Sequence, residues 1–171
     1  MRSRVTGGTG GISRKPSSSD NRLGTGSNDT EPWEIAEAIT EDTVAVAYME
    51  KAYTEPALET VVEVAHDNDV PVIVDAAAEL PPTENFSRFV EAGADLVAFR
   101  GGKAIRGPQT TGILAGRQDL IQSVACQHLD MHVAEEVWEP PTELVDRDRL
   151  AGVPRQGIGR HLKVGKEELA G

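Results

Sequence analysis

The sequence contains a single cysteine, Cys126, so no internal disulfide can form. Its setting, Asp119-Leu120-Ile121-Gln122-Ser123-Val124-Ala125-Cys126, reads as a helix, where it is expected as a small buried apolar residue rather than a nucleophile. No apolar run approaches the roughly 18 residues that a membrane helix needs, so a soluble protein is expected. Bases are scarce: Lys and Arg number 17 against 28 Asp and Glu, the formal net charge is -11, and Lys is the scarcer base. Such a surface repels phosphate backbones and disfavours nucleic acid as a partner. It fits a salty cytoplasm, where ions screen self-repulsion, and equally an ordinary acidic cytosolic protein. Either way a cytoplasmic location is expected. No Gly-rich loop follows the first expected strand, which argues against a nucleotide-binding Rossmann-like domain.

Acids are also missing from the first segment, where none occurs before Asp20. Residues 1–29 are rich in Gly, Ser and Thr and lack the apolar area to offset their ordering entropy. They read as a disordered or mis-started leader. A basic, Ser-rich start suggests a transit peptide, but no amphipathic pattern accompanies it.

From Thr30 onward apolar stretches alternate in kind. Pro32 to Ile39 reads as a short helix with Pro in its first turn. Thr43 to Met49 is β-rich and apolar throughout, a strand expected to be buried. Pro56 opens a helix carrying Leu58, Val61, Val62 and Ala65 on one face. Val70 to Val74 is a second buried strand ending at Asp75. Asn85 to Ala92 is a helix with Phe86, Phe89 and Val90 inward, closed by Gly93. Asp95 to Phe99 is a third strand, Thr111 to Ala115 a fourth, and Asp119 to Gln127 a helix. Strand alternating with helix predicts an α/β fold, a mainly parallel sheet in a three-layer α/β/α arrangement. Residues 30–128 are expected to form this domain. Residues 129–171 are irregular, broken by Pro140, Pro141 and Pro154, with a last helix beginning at Val164.

In an open parallel sheet, ligands bind beyond the carboxyl ends of the strands. Asp75 and Lys103 both follow such ends, separated by about one helix and one strand. Strands joined in this way are usually neighbours, so the two groups are expected to face one crevice. Each alone has a plainer reading. The aspartate can be a cap or loop residue, and a lysine after two glycines can be a solvated loop residue or a phosphate clamp. Together they suit pyridoxal phosphate. Its aldehyde joins a lysine amine, and its ring nitrogen needs an adjacent carboxylate to stay protonated. The small Ala76 and Ala77 leave room for a flat ring, and Gly101 and Gly102 are expected to let backbone approach the cofactor. No metal site is expected.

Two stretches resemble the selenocysteine-synthase-like family of pyridoxal-phosphate enzymes. That family includes L-seryl-tRNA(Sec) selenium transferase and D-glucosaminate-6-phosphate ammonia-lyase. One stretch runs from Pro71 to Pro82 (PVIVDAAAELPP). The other runs from Gly93 to Gln109 (GADLVAFRGGKAIRGPQ). The likeness extends from about Gly24 to Gly171. It implies the aspartate-aminotransferase fold, with this chain a partial large domain of it, and a dimer or larger assembly when full length. By this resemblance Lys103 matches the Schiff-base lysine, Asp75 the ring-nitrogen partner, and Ala77 a small residue near the ring. Gly107, Pro108 and Gln109 match the loop after the lysine, with Gln109 reaching cofactor phosphate or substrate. Where the family has a phosphate-binding serine, this sequence has Arg100, whose fork suits phosphate. Arg106 is a second candidate for phosphate or a substrate carboxylate. The family's upstream phosphate loop and small C-terminal domain have no counterpart, so a fragment is expected. The implied activity is α,β-elimination on a small amino acid or amino-sugar acid. The alternatives are selenium transfer to seryl-tRNA and an inactive truncated remnant.

Overall fold

The computed structural model describes residues 30–52, 54–127, 136 and 138–149. The expected leader over 1–29, the helix from Val164 and most of the irregular C-terminal segment lie outside the described residues. Among the described residues, four α-helices and four strands follow in the expected order. They are α1 (Pro32–Ala38), β1 (Val46–Met49), α2 (Leu58–Asp67), β2 (Val72–Asp75), α3 (Asn85–Glu91), β3 (Leu96–Arg100), β4 (Gly112–Gly116) and α4 (Gln118–Gln127).

Local chemistry sets the ends. Pro32 starts α1, and the Glu34 carboxylate accepts the Glu31 N–H at 2.8 Å, covering a donor that the first turn leaves unpaired. At the end of α3, Gly93 takes a φ of +100°. A Cβ there would stand 2.7 Å from the Val62 Cγ1, so glycine lets α3 turn into β3 while packed on α2.

The sheet order is β1-β2-β3-β4. The first three strands are parallel, each joined to the next by a helical crossover, with Met49 opposite Asp75 and Asp75 opposite Ala98. No helix separates β3 from β4, so the chain returns antiparallel, with Arg100 opposite Gly112. Helices α2 and α3 cover one face. There Tyr48, Val72, Val74, Val97 and Phe99 meet Leu58, Val61, Val62, Ala65 and Phe89. Phe86 meets Phe99 edge-on at 5.0 Å between ring centres. Four of these side chains, Phe89, Val72, Val74 and Val97, have essentially no solvent exposure, each worth about 1.5–3 kcal/mol of burial.

Three expectations need correction. The apolar run of β1 is not buried on both faces: Met49 is 53% exposed, and Val44, just before the strand, is 86% exposed. Among the described residues nothing covers the second face over β1 and β2. Val90 does not point inward, because Phe86 and Phe89 take the face of α3 that meets β3, leaving Val90 on its flank. Cys126 is half-buried rather than buried, since no residue of α4 is fully enclosed.

Candidate active site

Asp75 ends β2 with its side chain on the open face of the sheet, since Val72 and Val74 take the covered face. Its Oδ1 accepts the Ala77 N–H at 3.0 Å, a local turn that fixes the carboxylate. Its other oxygen has no partner among the described residues. The Ala76 N–H donates to the Ala98 carbonyl at 3.0 Å, carrying the β2–β3 ladder one step past Asp75. Ala76 is buried and Ala77 half-buried. Beside the carboxylate on β3 stands the small Ala98, so the sheet surface there is low.

Lys103 lies in the loop that leaves the same end of β3. Its side chain is exposed, and among the described residues its ammonium makes no hydrogen bond or ion pair. The topology therefore brings the backbone of Asp75 and Lys103 to one edge of the sheet, on adjacent parallel strands. Arg100 ends β3 on the Asp75 face, because it stands two residues beyond Ala98.

The loop between β3 and β4 is tied to itself. Gly101 N–H donates to the Thr111 carbonyl and Gly107 N–H to the Gly101 carbonyl, both at 2.8 Å. The Arg100 Nη2 donates to the Gln109 Oε1 at 3.0 Å, and the Gln109 Nε2 donates to the Gly102 carbonyl at 3.1 Å. A Cβ on Gly102 would sit 2.5 Å from the Gln109 carboxamide carbon, and one on Gly101 would sit 2.8 Å from the Thr111 carbonyl oxygen. These glycines thus have a reason internal to the loop: its return leg passes over them. Gln109 likewise spends both ends of its amide inside the loop. Arg106 follows a turn closed by its N–H on the Lys103 carbonyl and holds a φ of +56°. That conformation is uncommon for a side chain of its size.

Sequence reasoning passed over a second polar centre at the opposite end of the strands. Asp95 is only 4% exposed. Its Oδ2 accepts the Val72 N–H at 2.7 Å and faces the His66 Nε2 at 2.8 Å, and its Oδ1 accepts the Arg117 Nη1 at 2.9 Å. Burial alone would raise this carboxyl. The hydrogen bonds from His66, Val72 and Arg117 outweigh burial and hold it below the usual carboxylate range. The sequence offered only an aspartate at the start of the third expected strand, since its partners come from α2, β2 and the residue after β4. A cleft of about 410 Å³ also opens over the covered face near Tyr48, Glu50, Leu58, Glu79 and Arg88. It includes none of the candidate site residues.

A mostly parallel sheet with helices packed on it is the arrangement of an α/β large domain of the kind that pyridoxal-phosphate enzymes use. The aminotransferase class-V family model matches residues 25–137, and the chain belongs to that family. The chain is 32% identical over 143 residues to a D-glucosaminate-6-phosphate ammonia lyase of Salmonella typhimurium, a match covering 81% of this chain and 30% of that protein. It is 31% identical over 150 residues to a 5'-C-glycyluridine monooxygenase-decarboxylase of a Streptomyces species, covering 84% of this chain and 29% of that one. A solved structure of D-glucosaminate-6-phosphate ammonia-lyase superposes with a TM-score of 0.60 at 30% identity, covering 86% of this chain and 32% of that one. The chain thus spans about a third of the length of the relatives it matches.

The class-V family uses pyridoxal phosphate. The donors at this sheet edge have the chemistry that cofactor needs. Among the described residues Asp75 keeps a carboxylate oxygen without a partner and Lys103 an ammonium without one, the group types that a pyridinium nitrogen and an aldehyde would take. Arg100 and Arg106 have no carboxylate partner among the described residues and are available to a phosphate.

Proposed function

We propose that this chain carries the lysine and the carboxylate of a pyridoxal-phosphate lyase that eliminates a β-substituent from an amino acid or amino-sugar acid. The observation that carries the reading is the placement of Asp75 and Lys103 past the same end of adjacent parallel strands, each with a polar atom that has no partner among the described residues. When bound, the cofactor supplies an electron sink for the carbon that loses its proton. Lys103 Nζ would hold the cofactor through its aldehyde group and would accept the substrate's α-proton. Asp75 Oδ2 would keep the ring nitrogen protonated. The Ala77 N–H fixes the other oxygen of that carboxylate and so keeps it aimed. Ala77 and Ala98 keep the adjacent surface flat enough for a ring. Arg106 is assigned to an anionic group of the substrate.

The ammonia-lyase name of one relative supports elimination. The net charge of -11 weighs against a tRNA substrate. A homodimer or larger assembly of the full-length protein belongs to the same reading. The test is to mix the purified protein with pyridoxal phosphate, record the visible absorbance of lysine-bound cofactor, and map the adduct after borohydride reduction. Wild type should turn yellow and carry the label on Lys103. Lys103→Ala should do neither, and Asp75→Ala should weaken cofactor binding at least tenfold. A protein that stays colourless, or a Lys103→Ala variant that keeps the absorbance, sinks the assignment.

A further inference from the structure

We propose that Asn85, a buried amide on α3, is the positioning residue that keeps the Asp75 carboxylate aimed. Asn85 is only 6% exposed. An amide withdrawn from water costs free energy unless it is hydrogen-bonded, so its burial needs a reason. The Asn85 Nδ2 donates to the Glu79 carbonyl, six residues back in the loop between β2 and α3. The bond does not start the helix. The Asn85 N–H is already met by the Pro82 carbonyl, and the N–H groups of Phe86 and Ser87 by the carbonyls of Thr83 and Glu84.

From Glu79 the hydrogen bonds run to Asp75. The Glu79 N–H donates to the Ala76 carbonyl at 3.1 Å, and the Ala77 N–H donates to the Asp75 Oδ1 at 3.0 Å. The Ala76 carbonyl and the Ala77 N–H are the two ends of one planar peptide group. What orients that plane therefore orients the carboxylate. Glu79 grips the plane from one side and is itself gripped by Asn85 from the other.

The anchor is firm and the loop is not. Helix α3 is pinned to the sheet by Phe89, which has no solvent exposure, and by Phe86, edge-on to Phe99 at 5.0 Å. Within the loop, Ala78, Pro81, Pro82, Thr83 and Glu84 are exposed, and Leu80 is half-buried against the core. An exposed segment with few buried contacts opens easily unless it is tied to the core. Asn85 supplies a tie at its middle. The tie itself needs no cofactor; its value to catalysis rests on the function proposed above for Asp75.

Two measurements on the full chain test this. The first is amide hydrogen exchange of the cofactor-free protein, read residue by residue by NMR. The Ala77 N–H should exchange at least tenfold faster in Asn85→Ala and in Asp75→Ala than in wild type, while the Val74 and Val97 amides keep their protection. Asn85→Asp should behave as Asn85→Ala does: it keeps the shape, suits the first turn of a helix and lacks the donor. The second is a double-mutant cycle on affinity for pyridoxal phosphate. Asn85→Asp should weaken binding several-fold in the wild-type background and leave it unchanged in Asp75→Ala, where no carboxylate remains to be aimed. Equal losses in both backgrounds would show that Asn85 only supports the fold, and would overturn the proposal. So would an Ala77 exchange rate that the Asn85 variants leave unaltered. A wild type that binds no pyridoxal phosphate sinks the function proposed above, and the exchange at Ala77 then decides the tie on its own.

Discussion

Asp75 ends β2 and Asp95 immediately precedes the neighbouring β3, and their surroundings give the same residue type opposite work. Among the described residues, Asp75 keeps one oxygen free at the carboxyl edge. Asp95 is enclosed and fully engaged by His66, the Val72 N–H and Arg117. Because the Asp95 carboxyl is held below its ordinary value of 3.8, the unfolded chain takes up its proton first as pH falls. Its contribution to stability is therefore complete above that value and is lost as pH drops through it toward the lower folded value. Asp95→Asn should cost about 2–3 kcal/mol near neutral pH, the worth of hydrogen bonds to a charged group. Urea unfolding between pH 6 and pH 3 should show the gap to wild type narrowing at the acid end. A gap that stays constant would mean that the charge of Asp95 is not what its partners hold.

At the scale of elements, β2 is a strand with two unlike faces. Val74 is fully buried under α2 and α3, while its neighbour Ile73 is 36% exposed on the open side. Removing side-chain carbons at the two positions should therefore differ in cost. Val74→Ala should destabilise by about 2 kcal/mol, and Ile73→Ala by less than about 1 kcal/mol, in denaturant titrations. Equal costs would show that something covers the open face in solution. The apolar content of β1 and β2 predicted burial on both faces, because a continuous apolar run is the pattern of a doubly covered strand. Such a run records how apolar the two faces are. It does not record which elements arrive to cover them.

At the scale of the whole molecule, the charge of -11 is a long-range term that no single pair explains. Raising salt from about 0.1 M to about 1 M shortens the screening length from ~10 Å to ~3 Å and should relieve this self-repulsion. A melting temperature that rises by several degrees over that range is the expected outcome. The enclosed Asp95 contacts are screened far less than the surface, so they should not reverse the trend. A melting temperature that falls would show that ion pairs such as Glu50–Arg88 and Arg117–Asp119 outweigh the net repulsion.

The amino-acid sequence by itself determined the order of helices and strands, the residues of the core face, and the placing of Asp75 and Lys103 just after strand ends. Those features follow from local periodicity and from the residues that start and stop helices. Only the tertiary structure decided that β4 returns antiparallel, that no described element covers one face over β1 and β2, and that Gln109 folds back over its own loop to hold Arg100. It also decided that Asp95 gathers partners from three separate segments. Each of these depends on groups far apart in the chain meeting in space, and neither composition nor spacing encodes that meeting.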